Sequence, residues 1–121
     1  MDEQMKKWVL QSNSDDAFFA MTDEEFDEVI GVDFSVVKFY ADWCKPCKLL
    51  DPIIDELSNE LTNFNFYKIN IDENPYAVES CNVLSVPTVN VYYNGEMISS
   101  QIGAKAKVQM KKFITESQDM V

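Results

Sequence analysis

The stretch "FSVVKFYA" (Phe34–Ala41) constrains the fold more than any other. It is dense in β-branched and aromatic residues, and its apolar residues do not alternate with polar ones. That pattern marks a central strand covered on both faces. The next apolar run, "KPCKLLDPIIDELSNEL" (Lys45–Leu61), sets Leu50, Ile53, Ile54, Leu57 and Leu61 on one helical face. Pro52 is expected to kink this helix, because it removes a backbone hydrogen bond. "FNFYKINI" (Phe64–Ile71) reads as another strand. Strands joined through a helix pair in parallel, so these three runs predict the middle of an α/β sheet.

The remaining runs extend that unit on both sides. "AFFAM" (Ala17–Met21) is a short strand. "TDEEFDEVI" opens with Thr22 and places Glu25 three residues later, a capping-box signature, with Phe26, Val29 and Ile30 as the buried face and Gly31 as the stop. "ENPYAVESC" is a short helix with Pro75 in its first turn. "VPTVNVYY", Asn94-Gly95 and "EMISSQI" form a hairpin, because both central turn residues need positive φ. "KAKVQMKKFITES" is a last helix expected to turn Val108, Met110, Phe113 and Ile114 inward. The order β-α-β-α-β-α-β-β-α gives an α/β fold: a central mixed five-stranded sheet flanked by helices on both faces. Residues 17–121 form one domain, and residues 1–16 read as an N-terminal extension, a short helix or a disordered lead.

Composition narrows the function. A formal charge of −11 with no Arg and no His disfavours a nucleic-acid binder, which needs a basic face. The missing His removes Cys-His pairs, Ser-His-Asp triads and most zinc sites. A secretory signal needs an apolar run of roughly 7–15 residues; near the start only Trp8, Val9 and Leu10 are contiguous. No membrane-spanning stretch is present, so a cytoplasmic location and no membrane association are expected. In that reducing setting, three cysteines do not make a disulfide framework.

"ADWCKPCK" (Ala41–Lys48) places Cys44 directly after the central strand and at the start of a helix. The carboxyl end of a parallel strand is where α/β proteins hold their sites. A helix N-terminus offers unpaired N–H groups and partial positive charge, which lower a thiol's pKa. Cys47 lies one turn further on, near enough to attack a mixed disulfide on Cys44. Pro46 stiffens the first turn, and Trp43 supplies an apolar lip. A structural staple would close too small a loop to matter. A metal site would need four ligands, with only Cys81 and carboxylates to complete the set. A redox dithiol fits the placement best, and no metal is expected.

These residues resemble the thioredoxin family over about Ala17 to Ser117. "ADWCKPCK" is similar to that family's active-site motif, with Lys45 replacing its usual glycine. "VPT" (Val86–Thr88) is similar to its cis-proline segment, and Pro52, "KINIDENP" (Lys68–Pro75), "NGE" (Asn94–Glu96) and Gly103-Ala104 match in order and spacing. The resemblance implies that Cys44 is the exposed nucleophile and Cys47 the buried resolving thiol. It implies a cis Pro87 that turns the Val86 backbone toward the sulfurs; by its own residues, Pro87 reads as an ordinary trans proline at a strand start. Trp43, Lys45, Pro46, Val86, Pro87 and Gly103 would then line the surface for an extended substrate chain. No bound cofactor is implied beyond the redox-active Cys44–Cys47 pair. The implied partners are disulfide-containing protein substrates and a flavoprotein, NADPH-dependent thioredoxin reductase, with the chain a monomer.

The motif breaks at Lys38. The family usually carries a buried acid there, taken to accept the resolving cysteine's proton, and Lys68 matches a lysine that accompanies it. Lys38 therefore either acts as a neutral or shared-proton base, or is tolerated by snorkelling to water. Two ammonium groups in one pocket repel, which calls for a neutral lysine or a compensating carboxylate. Cys81 reads as a small buried hydrophobe, with a regulatory thiol as the alternative. Tyr40, like Trp43, reads as a packing residue with a partial recognition role, and the acidic helix from Thr22 to Glu28 as a solvated face. The function expected is a thiol–disulfide oxidoreductase that reduces protein disulfides. The alternatives are a more oxidising oxidant or isomerase, favoured by Lys45 and the missing acid, and a non-catalytic docking module.

Overall fold

The computed structural model describes residues 19–121; the extension expected at residues 1–16 lies outside the described residues. The elements are β1 (Phe19–Ala20), α1 (Asp23–Ile30), β2 (Phe34–Tyr40), α2 (Lys45–Glu60), β3 (Asn65–Asn70), α3 (Pro75–Ser80), β4 (Thr88–Tyr93), β5 (Glu96–Ile102) and α4 (Lys107–Glu116), with a closing 3-10 turn at Ser117–Met120. The sheet runs in the order β1-β3-β2-β4-β5. β1, β3 and β2 are parallel, whereas β4 and β5 are antiparallel to their neighbours. Four of these strands are full length; the fifth expected from "AFFAM" is a two-residue pairing at the sheet edge.

β2 is buried along its length because its neighbours and both helical layers cover it. Successive strand residues face opposite ways, so the two faces collect different residues. Val37, Phe39, Tyr67, Ile69 and Tyr92 pack with Phe26, Val29, Ile30 and Ala77, the layer of α1 and α3. Val36, Phe66, Val89 and Val91 pack with Leu50, Ile54, Leu57, Met110 and Ile114, the layer of α2 and α4. Each such side chain contributes about 1.5–3 kcal/mol by leaving water. Helix α2 continues through Pro52 to Glu60, and Pro52 itself faces solvent.

Three local expectations meet their physical basis directly. The Glu25 carboxylate accepts from the Thr22 backbone N–H at 2.9 Å, which ties down the start of α1. Asn94 and Gly95 turn the hairpin with φ of 49° and 91°, a left-handed pair that β-branched residues resist. Gly103 follows β5 at φ 93°, and its N–H donates to the Pro87 carbonyl at 2.8 Å.

Two expectations are corrected. Val108 does not face the core; it is 79% exposed, while Met110 and Ile114 are fully buried. Two residues span about 200° of helix, so Val108 and Met110 must point in opposite directions. The acidic face of α1 is also more than a solvated surface. The Asp23 carboxylate accepts from the Tyr76 and Ala77 N–H groups at 2.9 and 2.8 Å, capping α3, and Asp27 accepts from the Tyr76 hydroxyl. Asn74 returns the contact by accepting from the Asp23 N–H at 2.8 Å. The charges of α1 thus dock α3, a six-residue helix too short to bury much apolar surface of its own.

Candidate active site

The strand-to-helix junction between β2 and α2 holds the chemistry. Cys44 is the N-cap of α2, and its sulfur accepts from the Cys47 backbone N–H at 3.2 Å. This orphan N–H is where a helix N-terminus offers positive character, so the same contact would favour a Cys44 thiolate. Cys44 and Cys47 are joined as a disulfide, with Cα atoms 5.3 Å apart. One helical turn brings the two sulfurs together without further folding.

The surroundings come from three separate parts of the chain. The pair packs with Ala41, Tyr40, Ile71 and Val86. The Val86–Pro87 peptide is cis, as the resemblance implied and the residues alone did not. Pro87 is buried and Val86 half-buried beside the sulfurs. Trp43 is 68% exposed, with its indole N–H donating to Asp72 at 2.9 Å, which fixes the apolar lip in place. Lys45 and Pro46 are exposed on the first turn, and Gly103 is half-buried next to Pro87. All six residues expected at the substrate surface are therefore at one end of the sheet, around the cysteines or against Pro87.

The expectation of an exposed Cys44 is corrected for this oxidised state. Cys44 is 4% exposed and Cys47 1%, so both sulfurs are covered. Cys44 packs with Ala41, Cys47 and Val86, which cover it.

Lys38 lies beneath the pair and does not snorkel. It is 1% exposed, in register with Lys68 on β3 and Val89 on β4. Snorkelling fails because the strand is central, with no edge for a four-carbon chain to cross. A carboxylate compensates instead: Asp51 on α2 forms an ion pair with the Lys38 ammonium. The ammonium also donates to the Cys47 carbonyl at 3.4 Å and sits 5.1 Å from the Tyr40 ring centroid. Lys68 is half-buried, with its ammonium 5.8 Å from the same ring. One aromatic ring, that of Tyr40, thus meets two cations. Burial raises the Tyr40 phenol above its ordinary range, and the Lys68 charge partly offsets this.

Sequence reasoning missed Asp51. The available signal was spacing: Asp51 stands one helical turn beyond Cys47, on the face turned toward β2. Cys81 is half-buried against the α1 layer, with its sulfur 2.9 Å from the Tyr92 hydroxyl and away from the Cys44–Cys47 pair.

Comparison with known proteins follows the same lines. The thioredoxin family model matches residues 17–116. The chain is 37% identical over 100 residues to a thioredoxin of Buchnera aphidicola, covering 80% of this chain and 93% of the relative. It is 43% identical over 100 residues to a thioredoxin of Rickettsia typhi, covering 80% and 95%. The solved structure of mitochondrial thioredoxin 3 from Saccharomyces cerevisiae, in its oxidised form, aligns with a TM-score of 0.77 at 31% identity, covering 83% of this chain and 95% of that one. The chain belongs to the thioredoxin family. Its activity is thiol–disulfide exchange, as a protein-disulfide reductase, and the Cys44–Cys47 pair is the redox group. Two vicinal thiols carry both electrons, so the exchange requires no bound cofactor. Its partners are disulfide-containing proteins and a thioredoxin reductase. Among the described residues no helix is long and apolar enough to cross a membrane.

Proposed function

We propose that Cys44 is the attacking thiol and Cys47 the resolving one. The observation that carries this assignment is the position of the Cys44 sulfur as the helix cap of α2, accepting the Cys47 N–H. The Cys44 thiolate attacks one sulfur of a substrate disulfide and expels the other as a thiol. Cys47 then attacks Cys44, the Cys44–Cys47 disulfide forms, and the second substrate thiol leaves. An extended substrate segment lies along Val86 and Pro87, pairs with the Val86 backbone, and is flanked by Trp43, Lys45, Pro46 and Gly103.

The dithiol is regenerated by a flavoprotein reductase that draws on NADPH, and the chain works as a monomer in the cytoplasm. Residues 17–121 form the catalytic domain, with residues 1–16 as an extension outside it. Lys45 adds a cation beside Cys44, which stabilises the thiolate and makes the disulfide modestly more oxidising.

The test is a redox titration of the Cys44–Cys47 pair in glutathione buffers, together with insulin reduction by the Cys44→Ser and Cys47→Ser variants. A reductant stays oxidised until the buffer is strongly reducing, near about −270 mV. Cys44→Ser should abolish turnover, and Cys47→Ser should trap a mixed disulfide on Cys44. A midpoint near about −180 mV or above would assign the chain to oxidation or isomerisation instead. Full activity in Cys44→Ser would overturn the assignment of the nucleophile.

A further inference from the structure

The disulfide accounts for two cysteines but leaves a buried charge beneath them. Apolar residues of similar volume would serve stability at least as well as an internal ion pair. The position of the pair therefore needs another explanation, and the contacts supply one. The Lys38 ammonium touches two groups on α2: the Cys47 carbonyl at 3.4 Å and the Asp51 carboxylate. It is clamped across the turn that carries the resolving cysteine. Asp51 spans the wall of the site: its Oδ1 is sealed from water, yet its side chain as a whole is 44% exposed. One side chain thus meets the ammonium beneath Cys47 in the interior and still reaches solvent. Further charged or titratable neighbours include Lys68 from β3 and Tyr40 from β2, and β4 contributes apolar Val89 in register.

We propose that the Lys38–Asp51 pair manages the proton of Cys47 in the resolving step, with Asp51 as its acceptor and Lys38 as the residue that positions both. The inference rests on the reading of Cys47 as the resolving thiol. In the mixed disulfide, the Cys47 thiol gives its proton to the Asp51 carboxylate. The fixed ammonium against the Cys47 backbone favours the resulting thiolate. The thiolate's electron pair forms the bond to the Cys44 sulfur as the bond from Cys44 to the substrate sulfur breaks. The substrate leaves as a thiolate and takes up a proton from water, while Asp51 releases its own through its exposed side. The protein dithiol is oxidised by two electrons and the substrate disulfide reduced by the same two.

The experiment is a single turnover of the reduced protein with 5,5′-dithiobis(2-nitrobenzoate), in a Cys81→Ser background so that only the pair reacts. Attack by Cys44 releases one thionitrobenzoate, and resolution by Cys47 releases the second. Asp51→Asn takes the carboxylate away from a buried ammonium and is at risk of unfolding, so the decisive variant is Lys38→Met/Asp51→Leu, which removes both charges. We expect its first release to match the parent and its second to slow about tenfold or more at pH 7. The second release should recover toward pH 9, where a thiol of ordinary pKa, about 8.5, ionises unaided. Asp51→Glu should retain a fast second release. A second release in the double variant with the parent's rate and pH profile would overturn the proposal. A parent that never releases the second thiol would overturn the reading of Cys47 itself, and the two failures are distinct.

Discussion

Near the start of α2, Asp51 holds the ammonium of Lys38, which is 1% exposed; toward its end, Glu56 and Glu60 hold Lys107 and Lys111 of α4, which are 36% and 50% exposed. Both are lysine–carboxylate contacts between α2 and a neighbouring element. Water makes them different objects. At the exposed end, solvent screens the charges and replaces either partner when it is lost, so the network joins two helices at little gain. At the buried end, the ammonium has left water and a carboxylate stands against it, so removing one charge alone is costly. The exposed end is a surface feature of helix packing. The buried end fixes a cation against the backbone of Cys47, and so belongs to the redox site. The contrast shows that what a lysine does in this protein is set by its access to water.

The largest expected effect breaks the buried end from one side. Asp51→Leu should lower stability by about 3–5 kcal/mol in urea denaturation, since it takes the carboxylate away from an ammonium in the core. Lys38→Met/Asp51→Leu should return to within about 1 kcal/mol of the parent. If Asp51→Leu unfolds no more readily than the double variant, the two ends are alike and the contrast fails.

A smaller effect tests burial on the opposite face of the sheet, where the titrating group is neutral. Burial pushes the Tyr67 phenol up to about 12, from an ordinary 10.0. Its folded form keeps the proton that the unfolded form loses, so stability is intact below pH 10 and falls as pH rises toward 12. Tyr67→Phe should remove about 3 kcal/mol of that alkaline loss. An unchanged alkaline limb would mean that water reaches the phenol. Tyr92 is also raised, by burial first and then by its contact with Cys81, and should add to the same limb.

The smallest effect lies at the exposed end. Hydrogen bonds from Lys107 and Lys111 hold the Glu60 carboxyl below its ordinary range. The contribution of Glu60 is present above its unfolded pKa and is lost as pH falls below about 4.5. Lys107→Ala/Lys111→Ala should flatten this acid limb slightly and do nothing in about 1 M salt, where screening is complete within a few ångströms. A loss that survives such salt would place these charges with the buried class.

Much of this architecture was legible from local pattern. Phe34–Ala41 without alternation demanded a two-sided strand, and β2 is that strand. Asn94-Gly95 fixed a hairpin through positive φ alone. Cys44 at a strand-to-helix junction located the active site before any contact was known. The missed features share one trait: each joins residues distant in sequence. Asp51 meets Lys38 across the gap between α2 and β2. Asp23 and Asp27 read as solvated until α3 folds against them. Val108 was misassigned for a different reason, since its apolar character outweighed an angular position that a helical wheel gives directly.

By itself, the sequence determined the class of fold, the dithiol and the helix terminus that activates it, because these follow from periodicity and from groups a few residues apart. Tertiary structure alone decided the pairing of Lys38 with Asp51, the two cations against the Tyr40 ring, and the covering of Cys44 by Val86. These depend on which strands become neighbours and how far water reaches between them. A one-dimensional pattern carries the sign of a charge, and only packing sets the dielectric and the distance in which that charge acts.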